Sequence, residues 1–491
     1  MESLTDTNKK IISGTGGYFF ANVANSVFGL AFIVLAVRIL GLGDYGLLTI
    51  GITIFELAGN FGMFGLGLSS LKVLSGVLNE KNEEIIGAMF LINISIAVVL
   101  VAVLFFGSNW IAQLFFGKPL LAIVIKVIGV SLLFSLPLNL VMSILKAQKK
   151  VRLFFNVSLA KNIFKLLSLI FIFVFSDKLL GVSLTILSSS IISLGLGVYF
   201  MIKEKIYPKF KNVKKRTIEQ ISLGSQFLII GLGYFLASQI DRLMLGSMKV
   251  AEEVGVFAIA ASLAMTLGLV HTGMISIFMP MVSEMHKKDN LDSIGNMYYF
   301  SNMLVVFVNS LILIGFVILG NTVMKFLFNV DNPEILYIIF LMLSARYFIG
   351  TLTGPTGALL NMTGRQKIEV ANTLISIVLN VILNLYMINR WGALGAALAT
   401  LITILFLNII QVIEIKKFYR IFIIKKNHWV VFLTLILLSL GFFVLGGNKL
   451  DILVIVGYYI IGTALFVTVF YFNLEKKQRR VMINLIHNLF R

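Results

Sequence analysis

Long apolar runs, broken at short intervals by knots of charge, set the pattern of this chain. A helix that crosses a bilayer needs about 20 mostly apolar residues. Charge-poor windows of that size occur at 13–37, 45–70, 85–117, 119–145, 153–176, 179–202 and 220–241. They continue at 254–283, 294–318, 334–361, 369–389, 391–413, 428–447 and 452–473. The pattern therefore predicts an all-α polytopic membrane protein of about fourteen transmembrane helices. Its longest polar gap, from Lys203 to Glu219, is too short to fold as a domain of its own.

Composition agrees with lipid as the solvent. Of 491 residues, 58% are hydrophobic and 13% charged, and mean hydropathy is +0.98; a soluble chain carries roughly a quarter charged residues. The absence of cysteine excludes disulfides, thiolate metal sites and cysteine nucleophiles. With 41 basic and 22 acidic residues the net charge is +19, and location explains it. Placing the N-terminus inside puts Lys146–Arg152, Lys203–Arg216 and Lys416–Lys426 on the inner side together, as the positive-inside rule requires. The excess charge is then topology rather than a nucleic-acid footprint, and both termini are expected to be cytoplasmic, the first without cleavage. From Glu475 the tail places Val481, Met482, Leu485, Ile486, Leu489 and Phe490 on one helical face, the pattern of a helix lying on the inner surface.

The two halves echo each other. RILGLGDYGLLTIG from Arg38 parallels RLMLGSMKVAEEVGVFAIA from Arg242. KAQKKV from Lys146 parallels TGRQKI from Thr363, and Gly181 in LGVSL parallels Gly395 in LGAAL. An even number of spans per copy sends both copies in from the same face, giving two parallel lobes related by an axis along the membrane normal. The expected domains are a six-helix lobe over 1–202, a linker over 203–219 and a second six-helix lobe over 220–418. Two extra helices follow over 419–474, then the tail, 475–491. Pro137 and Pro355 fall at matching places in spans four and ten, where each frees a carbonyl and permits a bend.

TGGYFFANVANSVFGLAFIVLAVRILGLGDYGLLTI, together with LLNMTGRQKIEVANTLISIVLNVILNL, resembles the polysaccharide transporter (Wzx-like flippase) family. That family belongs to the multidrug/oligosaccharidyl-lipid/polysaccharide exporters, and the resemblance covers nearly the whole chain. It implies a V-shaped, MATE-like pair of six-helix bundles. It also implies a cell-membrane flippase that carries a polyprenyl-(di)phosphate-linked oligosaccharide from the inner to the outer leaflet by alternating access. A lipid II flippase and a cation-coupled multidrug exporter stand as alternatives. Membrane lipids, and H⁺ or Na⁺, are the other partners expected of a monomer. No enzyme activity, cofactor, metal or nucleic acid is expected; GLGDYG joins two membrane helices rather than a strand to a helix and is no nucleotide loop.

The polar residues inside the spans are the candidate cavity. Lys161 and Lys165, four apart, share a face with Ser158 and Ser168; each lysine is costly at mid-span and either snorkels or faces a cavity. On the flippase reading they hold the diphosphate. Arg346 could grip phosphate through its planar fork or pair within the second lobe. Glu56, mid-span, either neutralises one of the lysines or takes up a proton or Na⁺. Asn22 and Asn25 share a face in span one; Thr373, Ser376, Asn380 and Asn384 line span eleven, where Val378 and Ile382 replace the two lysines. These amides either meet sugar hydroxyls or join helices. Asp241 is either half of a surface pair or cap with Arg242, or an ion-coupling group, and His271 either packs or titrates during transport.

Overall fold

The computed structural model describes residues 2–74, 79–287, 291–330, 333–420, 426–447 and 450–473. The amphipathic tail lies outside them. The first helix, α1 (Glu2–Met63), is two rods joined at Gly41, whose φ of 76° is open to glycine at little cost. Short α2 (Leu66–Val73) follows, then α3 (Glu80–Leu114), whose first turn is capped by Asn79 accepting from the Asn82 amide. Next come α4 (Leu121–Val130) and α5 (Leu132–Ala147), bent by 47° against each other a turn and a half before Pro137. The next rod is α6 (Val151–Leu167), a single 3₁₀ turn and short α7 (Phe171–Val174); α8 (Lys178–Lys203) follows. Long α9 (Val213–Met248) bends by 50° near residue 234.

The rest of the chain comprises α10 (Ala251–Lys287), α11 (Leu291–Phe328), α12 (Pro333–Thr353) and α13 (Thr356–Met362). After these run α14 (Gln366–Tyr419), broken at Gly392, then α15 (Lys426–Val444) and α16 (Ile452–Asn473). Among the described residues nine helices are long and apolar enough to cross a membrane, or up to eleven if each bent pair is one span. The hydropathy windows give fourteen because they divide α1 and α14 at their glycine breaks and admit the shorter α15.

The chain packs as two compact units: Met1–Ile259 with Asn384–Ala393, and Ala260–Leu383 with Leu394–Arg491. This division falls inside α10, whereas the sequence repeat divides the chain at 203–219. In the first unit Ile86, Met89, Leu138, Ile144, Val157 and Ile206 share one core, drawn from α3, α5, α6 and the segment after α8. In the second, Phe348, Phe442 and Phe466 belong to a core that seats α15 and α16 on α11 and α12.

Glycine sets the closest approach in the first unit. A Cβ on Gly46 would strike the Ala251 carbonyl, and one on Gly255 would strike the Leu42 carbonyl. The contact is reciprocal: each glycine lies on the backbone of the other segment. Missing side chains at both positions are what let the backbones come together.

The chain break after α12 is satisfied from α11. Gly354 adopts a φ of 78° before Pro355, and the last carbonyls of α12 find donors in the second unit's own side chains: Tyr298 Oη bonds Thr353 O at 2.6 Å and Asn302 Nδ2 bonds Leu352 O at 3.1 Å. At the end of α9 a lysine plays the same part. Lys118 Nζ donates to Gly246 O at 2.5 Å, Lys249 O at 2.8 Å and Phe116 O at 3.0 Å. Partial burial pushes this ammonium below the ordinary lysine range. A cation on the last carbonyls complements the helix dipole.

Two outcomes follow. Gly46→Ala should cost roughly 1–3 kcal/mol through forced overlap with the backbone and lower the yield of folded protein. Gly43→Ala, where a Cβ meets open space, should leave the yield unchanged in the same size-exclusion assay. Lys118→Ala should lower stability by roughly 1–2 kcal/mol in a denaturant titration in mixed micelles, and the exposed Lys178→Ala should not.

Candidate functional site

The polar side chains of α6 converge with those of α1 inside the first unit. Ser158, Asn162 and Lys165 recur along α6 at helical spacing, one turn or nearly two apart. Asn25 Oδ1 accepts from both Ser158 Oγ at 2.9 Å and Asn162 Nδ2 at 2.6 Å. Asn25 therefore joins α1 to α6, the helix-joining member of its two sequence alternatives. One turn further on, Lys165 Nζ stands 3.6 Å from the centre of the Phe32 ring, and Phe32 is buried. The ring face supplies electron density to an ammonium at that depth.

Lys161 faces a different environment. A cavity of about 420 Å³ is walled by Asn139, Ser143 and Lys146 from α5, Phe154, Ser158 and Lys161 from α6, and Met63 at the end of α1. Its lining holds two lysines and no carboxylate. Lys161 lies ten residues into α6, ~15 Å along the axis at the helical rise; Lys146 sits in the last turn of α5. The cavity thus joins a cation near one end of the helices to one at middle depth. Lys165 is not among its walls, so the two lysines that sequence spacing put to one task have separate surroundings.

Glu56 is surrounded by positive charge: its electrostatic neighbours are Arg242, Lys165 and Lys161, in falling order of effect. None is an ion pair within 4 Å among the described residues. The direct Glu56–lysine pair expected from sequence is therefore replaced by a looser group in which Arg242 is the strongest partner. The surface reading of Asp241 and Arg242 is likewise corrected. Asp241 is buried, 4% exposed, and accepts from Asn384 Nδ2 at 2.6 Å. Neighbouring residues on a helix point about 100° apart, so Asp241 turns to Asn384 while Arg242 acts on Glu56 and Tyr45.

The remaining candidates lie in the second unit. Arg346 stands 5.2 Å from the ring centre of Tyr347. His271 Nδ1 is buried without a hydrogen-bond partner among the described residues. Asn380 is buried, while Thr373 and Ser376 turn back onto carbonyls of their own helix. Val378 and Ile382, which stand where the repeat would put the lysines, are exposed. The side chain of Asn22 lies outside the described ones. Lys146 and Asn162 were not singled out from sequence. Lys146 counted only as an inner-loop charge; Asn162, four residues after Ser158, carried the spacing that could have found it.

The comparisons with known proteins agree with this architecture. The chain is similar to the lipid II flippase MurJ in its inward closed conformation, at 16% identity and a TM-score of 0.73, over 92% of this chain and 98% of that one. It is also similar to an inward-facing multidrug resistance MATE family transporter of the MOP superfamily, at 13% identity and a TM-score of 0.64, over 81% of this chain and 94% of that one. A third likeness is to a MOP superfamily transporter from Pyrococcus furiosus described as having a binding pocket of reversed polarity. There the identity is 14% and the TM-score 0.57, over 84% and 95% of the two chains. An uncharacterized membrane protein of Methanocaldococcus jannaschii is 33% identical over 93 residues, 18% of this chain and 22% of that relative's own length. The fold is therefore the one shared by MurJ and the MATE transporters, in a multi-pass membrane protein. The family model described as polysaccharide biosynthesis protein matches residues 11–286, more than half of the chain, and the chain belongs to that family.

Proposed function

We propose that this protein moves a polyprenyl-(di)phosphate-linked oligosaccharide from the inner to the outer leaflet of the cell membrane. The supporting observation is the cavity of about 420 Å³ with Lys146 and Lys161 in its wall and no carboxylate. A diphosphate is the part of such a cargo that hydrocarbon rejects most strongly, and cations in a low-dielectric wall replace its water. Lys161 binds the headgroup directly; Lys165, one turn deeper, adds field without lining this cavity. Asn139, Ser143 and Ser158 offer hydrogen bonds suited to sugar hydroxyls. An exporter of cationic drugs needs buried negative charge in its cavity, and this one has the opposite sign.

The six-plus-six lobes read from the repeat exchange access between the two faces, and the protein works as a monomer with both termini cytoplasmic. Glu56, Asp241 and His271 are the groups through which H⁺ or Na⁺ would couple to the cycle. Arg346 and Asn380 are the candidate polar contacts that the second unit itself carries.

Deletion should leave lipid-linked glycan accumulated in the inner leaflet, counted by extraction and mass spectrometry. Re-expression of a Lys161→Ala, Lys165→Ala double variant should restore less than about a tenth of export, since each charge-assisted contact carries a tenfold effect or more. The corresponding double arginine variant should retain most of it. Full export by the alanine variant would rule out the headgroup role of these lysines.

A further inference from the structure

The segment between α8 and α9 is bound down along its length. Ile206 is buried in the core shared by Ile85, Met89 and Met201. Lys209 N–H donates to Glu83 O at 2.9 Å, and its Nζ pairs with Glu83 at 2.8 Å and Glu80 at 3.2 Å. A Cβ on Gly87 would strike the Lys209 carbonyl, so the strap lies directly on the backbone of α3. The Glu83 and Glu80 carboxylates hold the Lys209 ammonium above the usual lysine range.

The start of α9 continues the same line. Asn212 Nδ2 donates to Glu84 Oε1 at 2.9 Å, and Arg216 Nε to Glu84 Oε2 at 3.0 Å. The Arg216 and Glu84 side chains are only 14% and 10% exposed. One turn on, Ser69 Oγ in α2 donates to Gln220 Oε1 at 2.6 Å. Beyond that, Gly65 and Gly224 abut, each so close that a Cβ would meet the backbone opposite. The seam between α9 and the α2–α3 region therefore carries a line of polar pairs and a glycine contact. Seams of that kind come apart into water at small cost, because water replaces each hydrogen bond.

Placement gives the seam a consequence. On its other side α2 meets the cavity wall: a Cβ on Gly67 would lie 3.3 Å from Ser143 Oγ and 3.5 Å from Met63 Cε, both lining residues. α2 thus touches both the seam and the wall of the Lys161 cavity. The bend near residue 234 separates this half of α9 from the half held by Lys118. We propose that the 203–212 strap and the Arg216–Glu84 pair form a polar latch, which holds the first half of α9 on α2 and α3 and closes the strap-side route to the Lys161 cavity. The latch opens as a unit.

The chain has no cysteine, so one introduced thiol reports on one place. Ser69→Cys puts that thiol in the seam at a fully buried position. In full-length protein in oriented vesicles, an impermeant maleimide added from the strap side should label it slowly. Adding Glu84→Gln or Arg216→Gln should speed labelling roughly tenfold, the shift expected when one charge-assisted bond leaves a two-state equilibrium. The exchanged pair, Glu84→Arg with Arg216→Glu, should return the rate toward its starting value. Lys209→Gln, at a half-exposed position, should give a smaller rise. Unchanged labelling in all three single variants would overturn the latch. So would an exchanged pair as fast as the singles, or an equal rise at Ser131→Cys, a buried site far from the seam in sequence, which would mean general loosening. The readout needs no cargo, so it stands or falls separately from the glycan reading.

Discussion

Positive charge in excess of its partners, at membrane depth, is the constraint on which the first unit depends. Glu56 feels Arg242, Lys165 and Lys161 together. An ammonium in hydrocarbon costs several kcal/mol, so each cation needs a local remedy. Lys165 has the face of Phe32. Lys161 has the hollow itself, with Ser158 and Asn139 in the same wall. A wall that is polar, roomy and short of negative charge favours water at rest and an anion in preference to it. The amide joint of Asn25 with Ser158 and Asn162 then has a clear purpose: it fixes α6 against α1, holding Lys161 at the cavity wall and Lys165 on Phe32.

That arrangement rests on backbones brought close by small residues. Gly46 with Gly255 and Gly65 with Gly224 make reciprocal crossings, and both tie segments of α9 or α10 to α1 or α2. Close crossings of this kind hold by van der Waals contact and leave little room for side chains to interlock. They define position well and resist sliding weakly, which suits elements that must part and meet again. The apolar cores do the opposite work, binding α3, α5 and α6 into one body whose cavity wall keeps its shape.

Hydrophobic pattern made most of the fold legible, since hydrocarbon admits only helices whose backbone bonds are internal. Element breaks were legible where chemistry marks them, at Pro355 and in the Gly-rich turn of Gly41. What the pattern cannot carry is azimuth. Asp241 and Arg242 are adjacent and opposite in charge, which reads as a pair, yet one is buried against Asn384 and the other faces Glu56. The spacing of Lys161 and Lys165 gave a shared face correctly in outline, but the cavity edge runs between them. Lys146 was hidden by its setting, because a lysine among lysines at a helix end reads as topology. The strap was hidden for a similar reason: Lys203–Arg216 counted as a charged linker, while its contacts depend on Glu80, Glu83 and Glu84, more than a hundred residues earlier.

The two ends of α9 are held by different chemistry, and the difference decides which end gives way. At Lys118 a partly buried ammonium serves two carbonyls at the end of the helix, Gly246 O and Lys249 O, along with Phe116 O beside it. Pulling it away takes a partly buried cation and those carbonyls out of contact with each other. At the opposite end the partners are side chains of the strap, α3 and α9, and Lys209, Glu80 and Glu219 are already in contact with solvent. When they part, water reaches both halves of each pair. Loss of the first contact is paid in full by the helix, whereas loss of the second is largely returned by hydration. Asymmetry of that kind, set by which polar atoms can reach water, makes one end of a single helix a fixture and the other a closure.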